Sequence, residues 1–194
     1  MSAAFVSIGA MNPSANLFLI GPMGAGKTTI GKRLAARFGL SFIDLDREIE
    51  QATGASVNLI FEVEGELAFR DREFRLLELA SARSGILLAT GGGAVLREEN
   101  RQHLRAKGFV LYLQTGVDLQ LARLRRDRSR PLLRTADPRA RLVSLAGQRN
   151  QLYQQCADLT WTSTSLSARA STEGLVKTLR EHWHQQLEAR HESV

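Results

Sequence analysis

An α/β fold built on a mainly parallel sheet is the architecture this sequence predicts, and three observations predict it. Short apolar runs recur at residues 17–20, 42–44, 86–89, 109–113 and, more weakly, 159–161, with helical apolar spacing between them. The first run leads directly into Gly21-Pro22-Met23-Gly24-Ala25-Gly26-Lys27-Thr28, the G-x-x-x-x-G-K-[ST] pattern that joins a strand to a helix around a phosphate group. The chain of 194 residues, 43% hydrophobic and 24% charged, has the size and composition of one domain with its own core.

Taken in order, residues 1–14 are small and polar, without the basic start of a leader, and are expected to form a flexible arm ahead of a single domain over 15–190. The run 17–20 reads as a buried strand. In the loop after it, glycines let backbone N–H groups approach phosphate oxygens. Lys27 can reach the β- and γ-phosphates, and the Thr28 hydroxyl suits Mg²⁺. Gly24, Ala25, Gly26, Lys27, Thr28 and Thr29 are therefore candidate ATP-binding positions. Ile30, Leu34, Ala35 and Phe38 carry helical spacing, so a helix over 29–38 points its positive end at the same phosphates.

The second strand ends on Asp44-Leu45-Asp46. If strand conformation persists, both carboxylates face the same way. One would hold Mg²⁺ through its water shell, and the other would accept a hydroxyl proton or orient that hydroxyl. The alternative is that Asp46 caps a helix starting near Arg47. The third strand runs into Gly91-Gly92-Gly93, where a tight turn or a close ligand approach is expected. These three strand ends are where ligands of open α/β sheets bind. A last helical segment over 171–190 is expected to pack over the sheet edge through Leu175, Val176, Leu179, Trp183 and Leu187.

Charge adds further candidates. Glu73 lies three residues after Arg70, on one helical face, so it can hold the guanidinium in place or form only a solvated pair. Residues 123–141 hold eight arginines against Asp127 and Asp137, and helical periodicity fails around Pro131, which suggests a mobile loop. Such a loop can close over phosphates and bring an arginine to the developing charge. A nucleic-acid patch is the competing reading, weakened by the absence of aromatic residues for base stacking. The net charge of +6 attracts anions of any kind. The single cysteine, Cys156, excludes an internal disulfide and reads as a packing residue, and no apolar run approaches membrane-spanning length.

Six segments together resemble the shikimate kinase family. They are Gly-Pro-Met-Gly-Ala-Gly-Lys-Thr-Thr-Ile-Gly at 21–31, Asp-Leu-Asp at 44–46, Glu-Gly-Glu-Leu-Ala-Phe-Arg at 64–70, Gly-Gly-Gly-Ala-Val at 91–95, Arg-Pro-Leu-Leu at 130–133 and Arg-Asn-Gln-Leu-Tyr at 149–153. The phosphate loop is common to many NTPases; the other five, in this order, are specific. The resemblance implies a five-stranded parallel sheet, a substrate-binding helical region near 45–75 and a lid near 125–136. It implies ATP-dependent phosphorylation of the shikimate 3-hydroxyl, on the route to chorismate and the aromatic amino acids. Asp46, Arg70, Gly91, Gly92, Gly93 and Arg149 fall on shikimate-binding positions. Arg130 falls on the lid arginine that reaches the transferred phosphate, and Arg123 on an adenine-contacting arginine. Thr28 and Asp44, the latter through water, fall on positions associated with one Mg²⁺. Lys27, Asp46 and Arg130 are then the catalytic set.

The chemistry of the residues agrees. An arginine fork is planar and bidentate toward a carboxylate, and an ionised aspartate is a pure acceptor for hydroxyls. A gluconate kinase, of the same phosphate-loop class, is the nearest rival. A nucleic-acid-dependent NTPase and a catalytically dead regulatory domain are the other classes weighed. The expectation is a monomeric, cytoplasmic enzyme that binds ATP and shikimate, with no nucleic-acid or membrane partner.

Overall fold

In the computed structural model, residues 15–125, 135–163 and 167–184 are described. Five strands form one parallel sheet in the order β2-β3-β1-β4-β5. They are β1 (Leu17–Ile20), β2 (Ser41–Asp44), β3 (Ile86–Ala89), β4 (Phe109–Gln114) and β5 (Leu159–Thr162). Each lies within a residue of its expected bounds; β1 and β3 are buried throughout, and a strand buried on both faces appears in sequence as a short continuous apolar run. β1 is central, pairing Leu17 with Leu87 of β3 on one side and with Phe109 of β4 on the other.

The alternation along β1 divides the core. Phe18 and Ile20 face a cluster with Ile43, Leu88, Val110 and Tyr112, covered by helices that include Ile49, Phe69, Leu77, Leu104 and Tyr153. Leu17 and Leu19 face the opposite cluster, with Leu34, Leu87, Leu111, Leu159, Leu175, Leu179 and Trp183. A period of two in the strand thus buries both faces.

Helix α1 (Lys27–Phe38) follows the phosphate loop and ends at Gly39. It starts two residues earlier than its apolar spacing predicts, because the first turn faces the loop rather than the core. Helices α2 (Leu45–Thr53), α3 (Val57–Val63) and most of α4 (Gly65–Ser81) occupy residues 45–75. A short 3-10 turn (Ala94–Leu96) and α5 (Glu98–Lys107) return the chain to β4. α6 (Val117–Leu124) and α7 (Pro138–Cys156) flank residues 126–134, which lie outside the described residues, as do 1–14.

The closing segment differs from expectation. α8 (Ala168–Leu179) begins earlier and passes into a π-helical turn at Arg180–His184, and Leu187 lies outside the described residues. The segment packs on the β5 edge, where Gly174 lies against Trp161, and reaches inward as well: the Trp183 ring lies 5.4 Å from Phe38 of α1 and 6.2 Å from Phe109 of β4. Cys156 is buried, and burial pushes its thiol up to about 12, as befits a packing residue.

Candidate active site

The carboxyl ends of β1, β2 and β3 open into one pocket with a cavity volume of about 230 Å³. The sheet order explains its position. The chain leaves β1 toward β2 and β3 on one side and reaches β4 and β5 on the other, so the loops separate above β1 and leave a crevice.

The phosphate loop forms one wall. Gly24 (φ 75°) and Gly26 (φ 92°) hold left-handed conformations that other residues rarely adopt, and these turn the loop around the start of α1. Lys27 folds back over it, donating from Nζ to the Gly21 and Pro22 carbonyls at 2.7 and 2.9 Å. The Thr28 hydroxyl donates to Asp44 Oδ2 at 2.8 Å, so a hydroxyl and a carboxylate oxygen adjoin beneath the loop. Ala25 is wholly buried in the core, so only its backbone is on the loop's working side. Thr29 is exposed and lines the pocket mouth.

Asp46 corrects the strand-based expectation. The strand does not persist past Asp44: α2 begins at Leu45 with Asp44 at its N-cap, so Asp46 stands in the first helical turn. Nor does it cap a helix starting near Arg47. Both carboxylates still line the pocket, because the strand-to-helix change occurs at its floor.

The opposite wall comes from α4. Arg70 pairs with Glu73 at 2.6 Å and with Glu66 at 2.9 Å, and lies 5.1 Å from the Phe69 ring centroid. Glu73 is fully buried, so this is no solvated surface pair. Burial works against the charge of Arg70, yet Glu73 and then Glu66 hold its guanidinium above its ordinary value. Burial pushes the Glu73 carboxyl up; the Arg70 guanidinium opposes that rise and the Asp46 charge adds to it. Glu66 is a partner the sequence reading missed, although its spacing of four residues before Arg70 is visible.

The glycine run fits between these groups. None of Gly91, Gly92 and Gly93 has a positive φ, so no left-handed turn calls for them. Space does. A Cβ on Gly91 would lie 2.6 Å from Glu73 Oε1 and 2.9 Å from Asp46 Oδ1, and one on Gly93 would collide with the Arg70 guanidinium. Arg149 of α7 completes the wall, 5% exposed, with Nη1 donating to the Gly92 carbonyl at 3.3 Å. Burial, with the Arg70 charge also against it, lowers its pKa from the ordinary arginine value.

Two predicted residues stand elsewhere. Arg123 is exposed behind the phosphate loop, donating to the Gly24 carbonyl at 3.0 Å and the Ser163 hydroxyl at 3.1 Å. Arg130 lies outside the described residues. The apolar floor of Val57, Phe61 and Phe69 was not read as part of a site, because those residues look like ordinary helix faces in sequence.

A phosphate loop at the centre of a parallel sheet, opening onto a pocket of arginines and carboxylates, defines a P-loop kinase for a small anionic acceptor. The family model described as "Shikimate kinase" matches residues 23–180, and the chain belongs to that family. It is 51% identical over 166 residues to a shikimate kinase of Vibrio campbellii, covering 86% of this chain and 96% of that protein. Among solved structures, it resembles shikimate kinase from Acinetobacter baumannii in complex with shikimate, at 43% identity and a TM-score of 0.84 over 87% of this chain and 94% of the other. Shikimate kinase from Bacteroides thetaiotaomicron matches at 30% identity and a TM-score of 0.79, over 86% and 97% of the two chains.

Proposed function

We propose that this chain transfers the γ-phosphoryl group of ATP to the 3-hydroxyl of shikimate, giving shikimate 3-phosphate and ADP. The observation that carries this reading is one pocket holding both Lys27 of the phosphate loop and the set Asp46, Arg70 and Arg149. Shikimate offers a carboxylate at one end and ring hydroxyls at the other. Arg70 and Arg149 take the carboxylate, Asp46 takes the reacting hydroxyl, and Gly91–Gly93 line the acceptor site while leaving room for the Asp46 and Arg70 side chains. A bond forms between the hydroxyl oxygen and the γ-phosphorus as the bond to the β–γ bridging oxygen breaks, and Asp46 receives the hydroxyl proton.

Phosphoryl transfer asks the protein chiefly for position and charge. Lys27 exchanges its two loop carbonyls for phosphate oxygens. Gly24, Ala25, Gly26, Thr28 and Thr29 cradle the phosphates through backbone and hydroxyl groups. Arg123, bonded to the Gly24 carbonyl, contacts adenine in this reading, as the resemblance implies. Arg130, by resemblance, meets the transferring phosphate. Thr28 and Asp44 would hold Mg²⁺: their adjoining oxygens suit a hard cation that keeps several waters and takes phosphate oxygens as further ligands. That ion would neutralise charge between the phosphates.

A coupled ADP-release assay with ATP and Mg²⁺, comparing shikimate, gluconate and no acceptor, tests the reading. Turnover that requires shikimate is expected; turnover of gluconate without shikimate activity would refute it. The proposed enzyme acts as a monomer, with residues 45–75 binding the acceptor. Among the described residues no helix is long and apolar enough to cross a membrane.

A further inference from the structure

Tyr153 lies one helical turn beyond Arg149 on α7, and the two side chains donate to the same atom. Arg149 Nη1 reaches the Gly92 carbonyl oxygen at 3.3 Å, while the Tyr153 hydroxyl makes a short bond to it. A carbonyl has two lone pairs and can accept both. The arginine bond is long, and Arg149 Nε is buried without a partner among the described residues. Arg149 is therefore held by the Gly92 carbonyl and by its hydrogen bond with the Tyr153 side chain.

Tyr153 is the firmer of the two. It is 1% exposed, and its ring stacks on Tyr112 with centroids 4.9 Å apart. Burial drives its hydroxyl far above the ordinary phenol range, so it remains a donor throughout the working pH range. The oxygen it grips lies at a junction. A Cβ on Gly92 would sit 3.4 Å from the Met23 backbone nitrogen of the phosphate loop, and the next residue, Gly93, lies against Arg70. One hydroxyl thus anchors the peptide that separates the loop from both arginines.

We propose that Tyr153 is a positioning residue for the acceptor: its hydroxyl fixes the Gly92–Gly93 peptide, and through it the Arg149 guanidinium, in the orientation that receives the acceptor carboxylate. This rests on the reading of Arg149 as a carboxylate partner. Tyr112 supplies the control, because its hydroxyl is 3.5 Å from Asn150 Oδ1 and its bond runs to α7 rather than to the glycine run.

Tyr153→Phe keeps the ring and its stacking, and leaves Arg149 as a donor to Gly92, so the fold is expected to survive. The KM for shikimate should rise about tenfold, with the KM for ATP within about twofold of wild type. Tyr112→Phe should change neither. In an Arg149→Ala background, Tyr153→Phe should add nothing further to the shikimate KM, a coupling that a merely structural tyrosine would not show. The proposal is overturned by an unchanged shikimate KM, by equal weakening toward both substrates, by full additivity in the double variant, or by loss of the fold in Tyr153→Phe. Arg149→Ala with a wild-type shikimate KM would instead refute the carboxylate assignment beneath it, and the proposal with it.

Discussion

At the scale of single residues, the site is a set of charges waiting for opposite charges. Lys27 rests on two carbonyls that phosphate oxygens would replace, so Lys27→Ala removes transition-state stabilisation and little packing. Its kcat should fall by about a hundredfold or more with thermal unfolding unchanged. Near-normal turnover would mean this loop is not the catalytic nucleotide site. Asp46 lies against Gly91 and Arg70 against Gly93, and the two should separate kinetically. Arg70→Ala leaves Glu73 buried without its main partner, so some loss of stability is expected together with a raised shikimate KM. Asp46→Asn keeps the shape and removes the basicity, so kcat should fall while the shikimate KM moves less. Steady-state kinetics in both substrates checks the division, and loss of ATP affinity alone in both variants would contradict it.

At the scale of elements, steric room rather than turn geometry explains Gly91 and Gly93. Gly93→Ala would place a methyl group where the Arg70 guanidinium lies. That group is the end of a flexible side chain, so it can swing away at modest cost, giving up its alignment with Glu73. The fold should persist, and the shikimate KM should rise by about tenfold, while the ATP KM stays nearer wild type. Gly116→Ala, where a Cβ meets nothing within 4 Å, is the matched control and should leave both KM values unchanged. Helix α7 offers the converse test. Gly147 is exposed in its interior with open space around it, so Gly147→Ala should stabilise the protein by about 0.5–1 kcal/mol, read from urea or thermal unfolding.

At the scale of the whole molecule, the two ends of the sheet behave differently. The carboxyl ends hold the site; at the opposite end Asp158 leads into β5 and accepts the Val110 N–H at 2.7 Å. Burial pushes its carboxyl up to about 6, against the Val110 bond, which favours the charged form. The folded state therefore holds this proton more tightly than the unfolded chain. Stability contributed by this residue falls as pH rises from about 4 to about 6, and the cost of burying its charge is fully present above that window. Asp158→Asn should remove the cost, raising stability above pH 6 by roughly 1–2 kcal/mol after allowance for partial exposure, with the gain vanishing below pH 4. Unfolding midpoints measured across this range test the sign, and an equal gain at all pH values would refute it.

The five strands, the phosphate loop and the residue types of the site were determined by the sequence itself, because each is a local signal. A run buried on both faces is apolar throughout, and a loop that wraps a phosphate needs glycines at fixed spacing. Asp46, Arg70, Gly91–Gly93 and Arg149 could be named as candidates from their motifs. What joins them depends on how helices stack on the sheet, and no local pattern carries that. Only the tertiary structure placed Asp46 in the first turn of α2 rather than on a strand, and Arg123 behind the loop. It also showed that Gly91 and Gly93 leave space for side chains from α2 and α4, and that Tyr153 and Arg149 share one carbonyl 57 and more residues away in the chain. Such contacts arise where elements distant in sequence approach within a few ångströms, and their geometry is set by close packing of the intervening core.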